Sequence, residues 1–198
     1  MTSLGKFIRP LAWALAALAP ASAFSHEIKG DHSDPSKWTY SLDPAFGLKT
    51  ALFFTPAFTG NDLANGSNVQ PVAGPVGSLR LMVYNGNGTL FSSVDTQAAL
   101  LLNTPQTAGL FFGAGFSAGY RMVKQEIRIW GGLSYEGFSN ISGVAGGALR
   151  LGVSKKLHDD LEIELEGSYF YAKQNIPTGT VNYELTGIDA LFAFPFNL

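Results

Sequence analysis

The chain has 198 residues, a formal net charge of −2, 14% charged residues and no cysteine. Setting aside Lys6 and Arg9 in the first ten residues takes Lys plus Arg from 13 to 11 against 15 Asp plus Glu, which leaves −4. There is therefore no basic field to hold nucleic acid, no disulfide framework and no N-terminal cysteine to carry a lipid.

Lys6 and Arg9 precede an apolar run, Leu11–Leu18, and Ala21-Ser22-Ala23 sets small residues at alternate positions. That order is the pattern of a secretory signal, with cleavage expected after Ala23. The apolar run is well short of the ~20 residues that a helical membrane span needs. Nothing after it comes closer, so any passage through a membrane must be made by strands. Residues 24–44 include SHEIKGDHSDPS and read as a polar periplasmic segment. His26, His32, Asp31 and Asp34 are metal-ligating types, but mixed acidic and histidine tails are ordinarily solvated, and no metal site is assigned to them.

From residue 45 onward the pattern has period 2, the signature of strands with two unlike faces. Weaker candidates lie near 45–57, 76–84, 89–102 and 181–196. Stronger ones follow at 109–122, 126–136, 148–156 and 161–173. In the last of these Leu161, Ile163, Leu165, Gly167, Tyr169 and Tyr171 share one face, and Glu162, Glu164, Glu166, Ser168 and Phe170 share the other. Residues 126–136 repeat this, with Ile127, Ile129, Leu133 and Tyr135 opposite Glu126, Arg128, Trp130, Ser134 and Glu136. Eight strands are expected. The connections at 85–88, 123–125 and 157–160 are tight, the first holding an Asn-Gly pair suited to a hairpin turn. Longer connections are expected at 58–75, 103–108, 138–144 and 174–180, so short and long alternate along the chain.

On these strands and turns the chain resembles the small eight-stranded outer-membrane β-barrels of Gram-negative bacteria, of the OmpA and OmpX type. The resemblance is one of architecture over about residues 45–196, within a barrel expected to span 45–198, and rests on no family-specific motif. It implies an all-β, antiparallel transmembrane barrel in the cell outer membrane, with lipids around it and the barrel-assembly machinery as its partner during biogenesis. Phe192, Phe194 and Phe196 alternate toward the end like the aromatic C-terminal strand that this machinery reads. The chain departs from the usual ending, because Asn197 and Leu198 follow the last aromatic and Pro195 cannot donate a ladder hydrogen bond.

A membrane barrel turns its leucine and isoleucine rows outward and its charged rows inward; a soluble barrel or sandwich would reverse them. Eight strands enclose a space that side chains fill, so an open aqueous pore is not expected. Tyr120, Tyr135, Tyr171 and Trp38 are placed for interfacial girdles. The most chemical constellation is Glu162, Glu164 and Glu166 facing Arg150 and Lys156, with Arg128, Glu126 and Glu136 one strand further. Such a set can serve acid/base work or an ion path. In a narrow interior it reads better as a structural ion-pair network, because charges removed from water need partners. His26, His32 and His158 lie outside the strands, so no Ser/His/acid site is assembled locally. No catalytic, cofactor or metal site is assigned. The leading reading is a non-catalytic barrel that supports the envelope or presents loops, with 58–75 as its main exposed element. A lipid-modifying enzyme and a narrow channel or export accessory are the alternatives.

Overall fold

The computed structural model describes residues 38–59, 62–103, 107–139, 144–177 and 179–197. The expected signal peptide, residues 1–23, and most of the 24–44 segment lie outside the described residues, as do His26, Asp31, His32 and Asp34.

Eight long strands run β1 (Thr39–Thr59), β2 (Asp62–Tyr84), β3 (Leu90–Asn103), β4 (Thr107–Met122), β5 (Ile127–Phe138), β6 (Ala145–His158), β7 (Leu161–Ile176) and β8 (Gly179–Ala193), followed by a short β9 (Phe196–Asn197). Each pairs antiparallel with the next, and β1 pairs with both β2 and β8, so the sheet closes on itself. The closure can be measured by following one row of paired residues around the ring. It runs from Ala118 through Gly131, Leu151, Gly167, Ile188, Thr50, Ala73 and Leu102 to Ala108, which is on β4 again but 10 residues from its start. With a rise of ~3.3 Å per residue and strands ~4.8 Å apart, that stagger tilts eight strands by about 40° to the barrel axis.

Closure explains the faces. Along β6 and β8 every second residue is buried, and the buried rows point into the ring. Leu149, Leu151, Leu165, Leu133, Phe112, Phe116, Ile188 and Phe192 stand exposed on the outside, while Lys49, Arg80, Arg128, Arg150, Glu164 and Glu166 are buried inside. Such an outer belt far exceeds the apolar patches that water-facing monomers tolerate. The chain is thus an integral membrane barrel of the eight-stranded outer-membrane type. Trp38, Tyr40 and Tyr120 stand exposed near the turn end and Tyr135 and Tyr169 toward the other, as interfacial girdles do.

Besides the longer connection expected at 174–180, which is strand up to Ile176 and again from Gly179, two expectations change. The loop expected at 58–75 is strand, because β1 and β2 pair continuously from Thr39↔Tyr84 to Thr59↔Asp62, apart from one irregularity between Pro56 and Phe58. Prolines and an Asn/Gly-rich stretch suggested a loop, but the prolines fall where the ladder can spare them. Pro56 lies at the register irregularity, and Pro75 falls in a gap between the Ala73↔Leu102 and Val76↔Ala99 pairs, so its missing N–H breaks no bond to β3. The strand also starts at Thr39, inside the segment expected to end at residue 44. The asymmetry between barrel ends lies in strands that outrun their neighbours rather than in long loops. β1 stops pairing with β8 at Phe54 yet continues with β2 to Thr59, and β7 and β8 run on together to Ile176↔Gly179 beyond the last β6 pair at Tyr171.

At the C-terminus Pro195 interrupts the last strand as expected. Ala193 still pairs with Ala45, Phe194 N donates to Pro44 O at 2.9 Å, and pairing with β1 resumes at Phe196↔Leu42.

One tight turn carries strain. Glu126 has φ of 55° in the β4–β5 turn, a left-handed conformation that costs a residue with a Cβ roughly 1–2 kcal/mol. Glu126→Gly is expected to raise unfolding stability in detergent by about 0.5–1 kcal/mol, since relieved strain exceeds the added freedom of the unfolded chain. A loss of stability in urea titrations would show that the glutamate side chain matters more than its backbone angle.

Candidate functional site

The lumen is where this chain concentrates its chemistry. The inward rows of β7 supply Glu162, Glu164 and Glu166 in ascending order from the β6–β7 turn, and arginines on three other strands reach in to meet them.

Nearest the turn end, Arg128 on β5 bridges two carboxylates. Its Nη1 donates to Asp43 Oδ2 at 2.7 Å, its Nη2 pairs with Glu162, and its Nε donates to Ser154 Oγ at 2.9 Å. One step up, Arg80 on β2 grips Glu164 with two parallel bonds of 2.7 and 2.9 Å and lies 3.7 Å from Glu166. Arg150 on β6 binds Glu166 through Nε and Nη2 at 2.6 and 2.8 Å and pairs with Asp95 on β3 through Nη1. The fork of the guanidinium fits two carboxylate oxygens, which adds direction as well as strength. Above these, Lys49 on β1 donates to Asp189 on β8 at 3.0 Å and to Ser168 at 3.3 Å, and Gln97 Nε2 donates to the same Asp189 oxygen at 2.6 Å.

Trp130 separates the middle cations. The guanidinium of Arg80 lies 4.4 Å and that of Arg150 5.5 Å from its ring centre, so the indole face meets both positive charges. The indole needs a bare backbone beside it. Trp130 pairs with Gly152 across the β5–β6 ladder, and a Cβ at Gly152 would run into the indole ring.

Above the ion pairs the lumen becomes apolar. Phe53, Phe111, Phe138 and Phe170 meet at centroid distances of 4.8 to 6.0 Å, with Tyr183 at 6.3 Å from Phe53. Val72, Val76, Leu101, Val144, Val181 and Leu185 pack around them in the same core. This plug fills the half of the barrel toward the projecting hairpins. At the opposite mouth there is a polar cup of about 180 Å³ lined by residues including Arg121, Tyr84, Ser41, Lys156 and Glu162.

The sequence-derived residues divide as follows. Arg128, Arg150, Glu162, Glu164 and Glu166 lie in the lumen and are paired there. Lys156 does not join them: it sits at the mouth, where its ammonium binds Asp159 Oδ1 at 2.9 Å and holds that exposed carboxyl below its ordinary range. It still pairs with Glu162 in the ladder, just before the register irregularity between Lys156 and His158, and lines the polar cup with it. Glu126 is exposed in its turn, and Glu136 is buried without a cation beside it. Arg150 and Lys156 do not serve the three glutamates together, since Glu162 is met by Arg128 and Glu164 by Arg80. Five residues of the column escaped the sequence reading: Asp43, Lys49, Arg80, Asp95 and Asp189. Each stands singly between apolar or small neighbours, although Asp43 and Lys49 share β1, and that local isolation is the signal that marks an inward position. At the closing strand, Phe192 and Phe194 face outward and Phe196 is half-buried beside β1.

No protein-family model matches the chain, and no curated protein matches it. Among solved structures it is similar to the outer membrane protein OprG of Pseudomonas aeruginosa, with 11% identity over 79% of this chain and 95% of that one and a TM-score of 0.49. It is also similar to Neisserial surface protein A, with 17% identity over 79% and 96% and a TM-score of 0.45. A third is Ail, the attachment invasion locus protein of Yersinia pestis, in complex with the heparin analogue sucrose octasulfate; identity is 13% over 77% and 99%, and the TM-score is 0.41. The likeness is one of fold.

Because Arg150 serves Glu166 and Asp95 at once, the two ends of this contact are unequal. Arg150→Met strands Asp95 and leaves Glu166 only the more distant Arg80, at 3.7 Å, and is expected to cost on the order of 3–5 kcal/mol. Glu166→Met leaves Arg150 on Asp95 and should cost less. The double variant should recover part of the sum, with a coupling of roughly 0.5–3 kcal/mol in a urea-unfolding cycle in detergent. Strict additivity would mean that the two side chains do not interact.

Proposed function

We propose that the chain is a sealed, non-catalytic outer-membrane barrel that acts through its rim, presenting the β1–β2 and β7–β8 hairpins on the external side. The observation that carries this is the filled lumen. A column of paired charges occupies the turn half and an aromatic plug the other, which leaves the interior no role in passing solutes. What varies from a minimal barrel is at the rim. β8 pairs with β1, so the two hairpins that outrun their neighbours are adjacent in the ring. β1 extends 5 residues past its last pairing with β8, which is about 16 Å of strand at ~3.3 Å per residue.

In this reading the surrounding lipids act as solvent for the outward rows, and the barrel-assembly machinery is met during biogenesis through the strand that ends in Phe192, Phe194 and Phe196. Export by a cleaved signal at Ala23 brings both termini to the periplasmic side, since the strand count is even.

Two measurements test it. Purified protein reconstituted in planar bilayers should show no stable conductance steps; porin-sized steps would contradict the sealed lumen. An epitope tag inserted between Gly60 and Asn61 should be detected on intact cells, while a tag in the Asn85–Gly88 turn should be detected only after the envelope is opened. The reverse pattern would place the projecting hairpins on the wrong side.

A further inference from the structure

The charges of the lumen do not balance. Among the described residues, seven buried carboxylates (Asp43, Asp95, Glu136, Glu162, Glu164, Glu166, Asp189) face four buried cations (Lys49, Arg80, Arg128, Arg150). The shared contacts of Arg128 and Arg150 satisfy Asp43, Glu162, Glu166 and Asp95, and Arg80 and Lys49 take Glu164 and Asp189. Glu136 is left with no cation in salt-bridge reach. Its one bond is from Ser134 Oγ to Oε1 at 2.5 Å, and it is only 2% exposed.

Among the described residues, Asp95 Oδ2 has no donor, and neither do three buried oxygens around Glu136: Glu136 Oε2, Asp189 Oδ1 and Gln97 Oε1. The register brings them to one place. Gln97, Gly113 and Glu136 share a row across β3, β4 and β5. A Cβ at Gly113 would come within 2.6 Å of Glu136 Cγ, so the glutamate lies over that glycine, on the side of Gln97. Gln97 in turn reaches across the lumen to Asp189, and its amide orientation is fixed because only the nitrogen can donate to a carboxylate. The charged groups that act on Glu136 are Lys49 from β1, Arg150 from β6 and Asp189 from β8. Lys49 is held by Asp189, and Arg150 by Glu166 of β7 and Asp95 of β3. From β2 the row meets no charge but the buried hydroxyl residue Ser78, which pairs with Gln97 in the ladder, with Val76 next on that face, and from β4 it meets Phe111 and glycines.

We infer that Glu136, Asp189 and Gln97 form an internal site for one positive charge, a proton or a small monovalent cation, that the side chains of this chain do not supply. An ionised carboxylate without a partner at this depth is costly. Either occupant removes that cost. A proton makes Glu136 a carboxylic acid whose O–H donates to a neighbouring oxygen. A monovalent cation takes the three free oxygens as hard ligands, with Lys49 beside it to keep the affinity modest. The site lies between the ion-pair column and the aromatic plug, where bulk water does not compete.

The test uses the folded barrel in detergent, melted in choline chloride and in sodium chloride at equal ionic strength over a range of pH. Folding that takes up a proton weakens as pH rises. In choline the wild-type melting temperature should therefore fall with pH by a few degrees more than that of Glu136→Gln, which has the acid's shape and no charge. Sodium should restore the difference if the site takes the metal ion. At neutral pH Glu136→Gln should melt no lower than wild type. Should that variant fail to fold, the infrared spectrum of the wild type at neutral pH decides. The carbonyl stretch of a buried protonated carboxyl identifies the proton, and a sodium-dependent melting shift without that band identifies the cation. Absence of both the band and the sodium response overturns the inference. So does a Glu136→Gln barrel that melts well below wild type with an unchanged pH profile, because Glu136 would then be acting as a charged partner.

Discussion

Pairing of charge across a closed ring is the constraint from which the rest of this structure follows. Eight strands staggered by ten residues leave little room for water to solvate an inward carboxylate, and among the described residues every buried carboxylate but Glu136 is met by a cation from another strand. Arg80 and Arg128 meet this demand by reaching β7 from strands that are not its neighbours, Arg150 meets it from the adjoining β6, and Arg128 and Arg150 take a second carboxylate from β1 and β3. The contacts join strands far apart in sequence, such as Arg80 with Glu164. They therefore fix which strand stands opposite which, a task that the uniform backbone ladder cannot perform alone. A slip of one residue in any strand would turn its leucines inward and its charges into lipid.

The two halves of the lumen solve the filling problem by different means. The turn half uses ion pairs interleaved with Trp130, whose face satisfies two guanidiniums. The other half uses phenylalanines in tilted and edge-to-face contacts, which need no polar partner. The outer surface inverts the order of a soluble protein, with Leu133, Leu149, Leu151 and Leu165 exposed, because the bilayer is the solvent there. Thr50 shows how a polar residue is accommodated in that belt, since its hydroxyl donates to the carbonyl of Ile188 at 3.3 Å and so presents little unsatisfied polarity to lipid.

The parts of the fold that were legible in the sequence are those where one face is uniformly apolar and the other carries several charges. β7 is the clearest case: Glu162, Glu164 and Glu166 alternate with Leu161, Ile163 and Leu165, and only period 2 separates them. β2 was read for its last nine residues alone, because Pro71, Pro75, Gly74 and Gly77 imitate a loop, and nothing local reveals that β1 runs alongside. The inward Arg80 was missed for a related reason, since a lone charge among Leu79, Leu81 and Met82 declares its direction only when its partner is known. That partner, Glu164, is 84 residues away. Lys156 keeps the inward parity and pairs with Glu162 in the ladder, but it stands at the mouth, where Asp159 of the turn takes its ammonium. Glu136 could be placed inward by the same parity, but its lack of a cation depends on what four other strands bring to that level.

The central claim is that the apolar rows face lipid and the charged rows face a sealed interior. The chain has no cysteine, so single cysteines test this directly. In liposomes, cysteines at Leu133, Leu149, Ile163 and Leu165 should react with a lipid-soluble thiol reagent and resist a water-soluble one. Cysteines at Ser154 and Ser168 should resist both until the barrel is unfolded. Reaction of the first set with the water-soluble reagent, or of the second set in the folded protein, would contradict the account.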